Sequence, residues 1–81
     1  MPNKNKKPSP PEFIRCYVFK MTINEFAKAI YSYPDQVRAW ERRGQFGRLE
    51  GVRGILHAAK HLPSFDMRWL LDVPKNWRDY A

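Results

Sequence analysis

Three arginines, Arg38, Arg42 and Arg43, lie close together in a segment that a proline opens and a glycine closes. A guanidinium group can donate two parallel hydrogen bonds to a guanine edge or to a phosphate, so a helix that carries several of them suits a DNA groove. Charged helix positions are also typical of a solvated face. The whole chain has 15 Lys and Arg against 8 Asp and Glu, a formal net charge of +7, which favours phosphate-rich partners.

The elements that would position these arginines are two short helices and a turn within residues 22–47. Thr22 and Glu25 have the spacing of a capping box, which begins a helix. The apolar residues that follow recur at the spacing of one helical face; they are Ile23, Phe26, Ala27 and Ile30. We therefore expect a first helix over residues 23–30 and a turn over residues 31–33.

The second helix should begin at Pro34, since proline suits the first helical position. Asp35 favours the positive end of the helix dipole, and Gly44 is a natural stop. Val37 and Trp40 share one side of this helix and should pack on the first helix, on Phe26 and Ile30. The arginines would then face outward.

The segments on either side suggest β-structure. Residues 13–21 are β-branched and aromatic, which predicts a short strand centred on residues 16–20, with a helix as the alternative. Three glycines within residues 45–57 make a helix there unfavourable, and short apolar runs predict a hairpin of residues 46–49 and 53–57. Ser64 could cap a last helix over residues 65–73. The expected fold class is mainly α with a small β hairpin, a winged helix-turn-helix.

Domain organisation follows from composition. Residues 1–11 are Pro-, Lys- and Asn-rich and are expected to form a disordered basic arm. Residues 12–73 would form the DNA-binding domain, and residues 74–81 a C-terminal tail. Lys4, Lys6 and Lys7 either solubilise the arm or contact phosphates, which adds affinity without sequence preference.

The order of strand, helix, turn, helix and hairpin resembles the winged DNA-binding domain of phage excisionases, the Cox regulators of temperate phages and MerR-type regulators. Phe26-Ala27-Lys28, Val37-Arg38 and Gly44 fall at Cox-like spacing, and Gly47 stands where these proteins usually have a proline. The resemblance covers residues 17–57. It implies that the second helix enters the major groove and that the hairpin contacts the backbone or the minor groove. By that resemblance the DNA-binding residues are Gln36, Arg38, Ala39, Arg42 and Arg43 on the helix, and Arg48 and Arg53 on the wing.

A second resemblance concerns the last third of the chain. Residues 55–71, ILHAAKHLPSFDMRWLL, look like the closing helices of phage CI- and Cro-like repressors. That fold requires a full helix before Thr22, for which residues 13–21 are a poor sequence. The winged interpretation is therefore preferred, and the CI- and Cro-like helix-turn-helix repressor is the alternative.

Other functional classes have little support. No nucleophile–base pair, phosphate-binding glycine loop or carboxylate cluster indicates an enzyme or a cofactor. His57 and His61 are four residues apart, but with His57 on a strand and no further ligands we expect no metal site. The single cysteine, Cys16, excludes an intrachain disulfide and fits a core thiol. No apolar run spans a membrane, so we expect a soluble, cytoplasmic protein associated with the nucleoid of a bacterial host.

Aromatic residues at the C-terminal end predict self-association. The residues concerned are Trp69, Trp77 and Tyr80. The last two follow Pro74 and are expected at the surface, where aromatic side chains favour interfaces. A small domain that reads one short site gains affinity by binding several, so a homo-oligomer on DNA is expected.

Together these features predict a sequence-specific regulator of a phage or mobile element that binds double-stranded DNA. It would act as a transcriptional repressor, as an excisionase-type recombination directionality factor, or as both, with a recombinase or repressor as protein partner. The alternative from another class is a protein-interaction module that docks its basic helix on an acidic partner.

Overall fold

The computed structural model describes residues 6–47 and 49–80, without the side chains of residues 49–51. Within those ranges the chain is helical and contains no β-strand. The expected winged helix-turn-helix with a small β hairpin is therefore wrong. The first helix, α1, begins as an α-helical turn, Pro10–Glu12, and continues as a π-helix, Phe13–Phe19. Three α-helices follow: α2 (Ile23–Ala29), α3 (Pro34–Arg43) and α4 (Leu49–Ala58), the last continued by a 3₁₀ turn, Ala59–His61. Two further 3₁₀ turns, Met67–Leu70 and Trp77–Tyr80, complete the described chain.

Helix α1 takes the place of the strand predicted from residues 13–21. Its inward side consists of Phe13, Ile14 and Tyr17, each no more than 3% exposed. This spacing belongs to one face of a helix rather than to the alternate positions of a strand. The amide of Lys20, with φ of 55°, donates to the carbonyl of Arg15 and ends the helix. Burial among the other helices outweighs the β-propensity of the individual residues, and the alternative, a helix, is what forms.

The two central helices form as their local signals predict. The hydroxyl of Thr22 accepts from the amide of Glu25, and the Glu25 carboxylate accepts from the Thr22 amide, so the capping box is confirmed. Helix α3 begins at Pro34, and Gly44 ends it in the left-handed region with φ of 77°. These signals are short-range, and tertiary packing agrees with them.

Helix α4 replaces the predicted hairpin, whose strands were residues 46–49 and 53–57. Gly54, which counted against a helix, lies where α4 crosses the end of α2. A Cβ atom on Gly54 would come within 2.1 Å of the Ile30 carbonyl oxygen. The glycine is therefore what lets the two helices approach, and the buried Ile55 and Ala59 make up the inward side of α4 and of the turn that follows it. Packing compensates for the poor helix propensity of glycine.

The C-terminal third closes the core with two short turns instead of the predicted helix over residues 65–73. Asp66, rather than Ser64, caps the first turn, since its carboxylate accepts from the Arg68 amide at 2.9 Å. The Asp72 carboxylate accepts from the Val73 amide, so that amide does not continue a helix. Trp69, Val73 and Trp77 are all buried.

Aromatic rings hold this closing segment on α1. Phe13 meets Trp69 and Tyr80 edge to face, with ring centroids 5.5 Å and 5.4 Å apart. Tyr17 meets Trp77 in the same way at 5.8 Å. Such geometry is favoured by the quadrupoles of the rings. The closing segment is thus part of the core that positions α2 and α3. None of the helices in the described ranges is long and apolar enough to cross a membrane.

Candidate nucleic-acid interface

The inward side of α3 fixes this helix in the domain. Val37 is 0% and Trp40 is 1% exposed, and both belong to the same apolar cluster as Phe26 and Ile30 of α2. The predicted packing of α3 on α2 is confirmed. Two buried side chains one turn apart determine which side of α3 remains free.

The opposite side of α3 carries the residues predicted to contact DNA. Gln36, Arg38, Arg42 and Arg43 are exposed, and Ala39 between them is half-buried. The structure therefore brings the five helix residues together on one accessible surface. Arg38 donates to the Asp35 carboxylate at 2.9 Å, in a pair where the Asp35 side chain is 96% exposed. An exposed pair of this kind costs little to open, so Arg38 can exchange this carboxylate for a phosphate or a base.

An ion pair between α1 and α3 holds the helix from its flank. Arg15 and Glu41 form a bidentate pair in which Nη2 of Arg15 lies 2.9 Å from Oε1 of Glu41. Both side chains are about one-seventh exposed, and Nη1 of Arg15 also donates to the carbonyl of Met21 at 3.1 Å. The hydrogen bond to Glu41 raises the pKa of the Arg15 guanidinium, which keeps it charged. The pair was not predicted, although a lone arginine in the apolar run of residues 13–19 signals that a partner is needed.

Two exposed tyrosines precede α3. Tyr31 has φ of 58° and is 80% exposed, and Tyr33, the residue before Pro34, is 77% exposed. The ring of Tyr31 lies 5.6 Å from that of His57. Tyrosine hydroxyls are common donors to the DNA backbone. The sequence places both residues in the turn but does not show that Tyr31 packs beside His57 of α4.

The remaining basic residues are dispersed. Because α4 takes the place of the second hairpin strand, the expected wing contacts are separated from any wing in the described residues: Arg53 is exposed on α4, and Arg48 lies outside the described residues. In the arm, Lys6 and Lys7 are exposed, and Lys7 lies 3.5 Å from the Asp72 carboxylate. Lys4 also lies outside the described residues.

The aromatic residues predicted to mediate oligomerisation are mostly in the core. Trp69 is 7% and Trp77 is 4% exposed, while Tyr80 is half-buried. The guanidinium of Arg78 lies 4.4 Å above the Trp77 ring. The two indole rings therefore offer little surface to a partner. The C-terminal end is rich in aromatic residues because these residues pack on α1.

Metal and thiol chemistry gain no support. His57 lies on α4 rather than on a strand, and across the described residues no group of three or more His, Cys, Asp or Glu could hold a metal ion. Cys16 is half-buried in α1, and burial raises the pKa of its thiol. A raised pKa keeps the thiol protonated and unreactive.

Comparison of the chain with protein-family models, with curated proteins and with solved structures gave no match.

Proposed function

We propose that this chain is a helix-turn-helix DNA-binding protein that places α3 in the major groove. The observation that carries the proposal is the two-sidedness of α3. One side is locked by Val37, Trp40 and the Arg15–Glu41 pair, while the other displays glutamine and arginine side chains that are exposed to solvent. Groove binding requires this combination, because a helix that reads bases must be held rigidly while its outer side chains remain free.

The helical surroundings support the CI- and Cro-like form of the proposal. That form requires a full helix before Thr22, and α1 occupies this position. The excisionase interpretation depended on a wing, so we do not carry it further. The protein would repress transcription from an operator in the genome of a phage or mobile element.

Residue roles follow from position along α3. Gln36 and Arg38 are in its first half, where a helix that enters the groove by its N-terminus reaches the base edges. Arg42 and Arg43 are in the last turn, from which an arginine reaches either a base or a phosphate. Tyr33, exposed just before α3, would donate to a phosphate beside the N-terminus of that helix. Neutralising about five phosphates would give a slope of log affinity against log salt of roughly −4 to −5.

The test is selection of binding sites from a random duplex library, followed by anisotropy titrations on the selected and on scrambled duplexes at two salt concentrations. We expect one sequence to be enriched, with affinity that falls steeply as salt rises. If no sequence is enriched and modest salt abolishes all binding, the proposal is wrong, and the interaction-module alternative gains support.

Arg42→Ala tests the role of α3 directly. If Arg42 contacts a base, the variant should bind the selected site about 1–3 kcal/mol more weakly and bind scrambled DNA almost as before. Equal weakening on both duplexes would assign Arg42 to a phosphate. The matched control is Lys75→Ala, which removes the same charge from the exposed link to the last turn, a turn that packs against α1. Unchanged affinity of Arg42→Ala on both duplexes would contradict the placement of α3 in the groove.

A further inference from the structure

The first 3₁₀ turn of the closing segment presents an unusual surface. Met67 is 63% exposed and Leu71 is 88% exposed, four residues apart on the turn that Asp66 caps. Apart from two tyrosines before α3, they are the large apolar side chains most exposed in the described ranges. An aliphatic side chain held almost entirely in water has no folding role.

A groove lies directly beside these two residues. It measures about 740 Å³ and is lined mainly by apolar side chains, among them Phe46, Val52 and Leu70. Its far wall is formed by residues 44–47, which follow the end of α3. The two exposed side chains and the groove form one continuous apolar surface, which we call the Met67–Leu71 face.

The charges around the Met67–Leu71 face are balanced, unlike those of the whole chain. Arg68 pairs with Asp66 at 2.7 Å, and Lys7 lies 3.5 Å from Asp72. Two cations thus face two anions, in a protein with a net charge of +7. With its two cations paired to carboxylates, this face lacks the excess positive charge that attracts DNA. Two copies of a chain of charge +7 also repel one another, and they can meet most easily where the local charge is close to zero.

The occupant of the face must therefore be apolar and carry both signs of charge. The N-terminal residues 1–5, which lie outside the described ranges, read MPNKN and offer only one long apolar side chain. A second copy of the chain offers a matching apolar surface, with acidic and basic groups at its edge. A two-fold contact of the face with itself satisfies both requirements.

We propose that a second copy of this chain docks on the Met67–Leu71 face to form a two-fold symmetric dimer. The contact is independent of DNA, but its consequence rests on the proposed function. Because the groove begins at the end of α3, the dimer would carry both α3 helices on one assembly. Its target would then be a palindromic site with two half-sites.

The experiment is sedimentation of the full chain without DNA, from micromolar to millimolar concentration, at low and high salt. We expect a monomer–dimer equilibrium that shifts toward dimer as salt rises, because salt screens the repulsion between two positively charged copies while the apolar contact persists. DNA binding should respond to salt in the opposite direction. A chain that stays monomeric throughout would overturn the proposal.

Leu71→Glu identifies the face. It should raise the dimer dissociation constant at least about 100-fold, because each dimer loses two central apolar contacts and gains two carboxylates. The high exposure of Leu71 means that the fold should survive, which a thermal melt verifies. The control is Asn24→Glu, which adds the same charge at an exposed position on α2 and should leave the constant unchanged. Equal constants for wild type and Leu71→Glu would refute the assignment of the face.

The two proposals can fail separately. Binding of the monomeric Leu71→Glu variant to a single half-site should persist if α3 reads DNA, even though cooperative binding to the full palindrome is lost. A dimer that binds no sequence would sustain this inference and refute the proposed function.

Discussion

The Gly54→Ala substitution should destabilise the domain more than any other single added methyl group that the described glycines allow. The Cβ of alanine would lie 2.1 Å from the carbonyl oxygen of Ile30 and 3.0 Å from its carbonyl carbon. Both atoms belong to the backbone, so no side-chain rotation can relieve the clash. Helix α4 would have to retreat by about 0.9 Å to bring the closer contact to 3.0 Å.

This displacement sets the free energy of unfolding that the substitution removes. Overpacking typically costs about 1–3 kcal/mol, and a rigid backbone obstacle places Gly54 at the upper end or slightly beyond it. Alanine recovers about 1 kcal/mol through its better helix propensity. We therefore expect a net loss of about 2–3 kcal/mol, against a total stability of roughly 4–12 kcal/mol for a chain of this length. The melting temperature should fall by about 8–24 °C.

The assay is urea denaturation and thermal melting followed by far-ultraviolet circular dichroism. The matched control is Gly44→Ala, where the new Cβ would meet nothing closer than 3.8 Å. Only the left-handed backbone conformation is then penalised, by about 1–2 kcal/mol. If Gly54→Ala were as stable as wild type, α4 would not cross α2 at Ile30, and the reason given for a glycine in this helix would be wrong.

Two further predictions concern the elements that hold α2 and α3. Glu41→Gln should lower the free energy of unfolding by about 1.5–3 kcal/mol, because it leaves the largely buried guanidinium of Arg15 without its charged acceptor. Urea denaturation measures this loss, and a loss no larger than that of the exposed-pair variant Asp35→Asn would contradict the prediction. Thr22→Ala should cost about 1 kcal/mol through the lost cap. The amide and hydroxyl of Thr22 lower the pKa of Glu25. The stabilisation that comes from the ionised Glu25 carboxylate is therefore present at neutral pH and is lost as pH falls through that lowered pKa. In Thr22→Ala the pKa of Glu25 should rise toward its ordinary value, which an NMR titration would detect, and an unchanged value would exclude the hydroxyl as a cause.

The sequence was sufficient where the determining signals are local. Thr22 and Glu25 are three residues apart, and Pro34 and Gly44 act on the backbone at their own positions. Each therefore fixes a helix end without help from the rest of the chain, and the two-sidedness of α3 follows from the helical period. For this reason the outward position of the candidate residues on α3 could be predicted, while their contact with DNA stays a prediction.

The sequence was not sufficient where a distant contact decides the structure. Gly54 looks like a helix breaker until the Ile30 carbonyl, 24 positions earlier in the chain, is seen to require it. The residues of α1 look like a strand until their burial on the closing segment is known. The Arg15–Glu41 pair joins residues 26 positions apart. Trp77 was expected at the surface because it follows Pro74, but α1 offers it a partner in Tyr17.

The π-helical part of α1, Phe13–Phe19, affects how this chain would align with a relative. A π-turn closes its hydrogen bond between residues five apart, so it contains one more residue than an α-turn. An ancestor with an ordinary α-helix here would reach the same end point with a shorter sequence. Aligning such a relative with this chain would require a gap inside a helix, among the residues that build the core. Shared descent would then be easier to recognise in the arrangement of the helices than in the order of the amino acids.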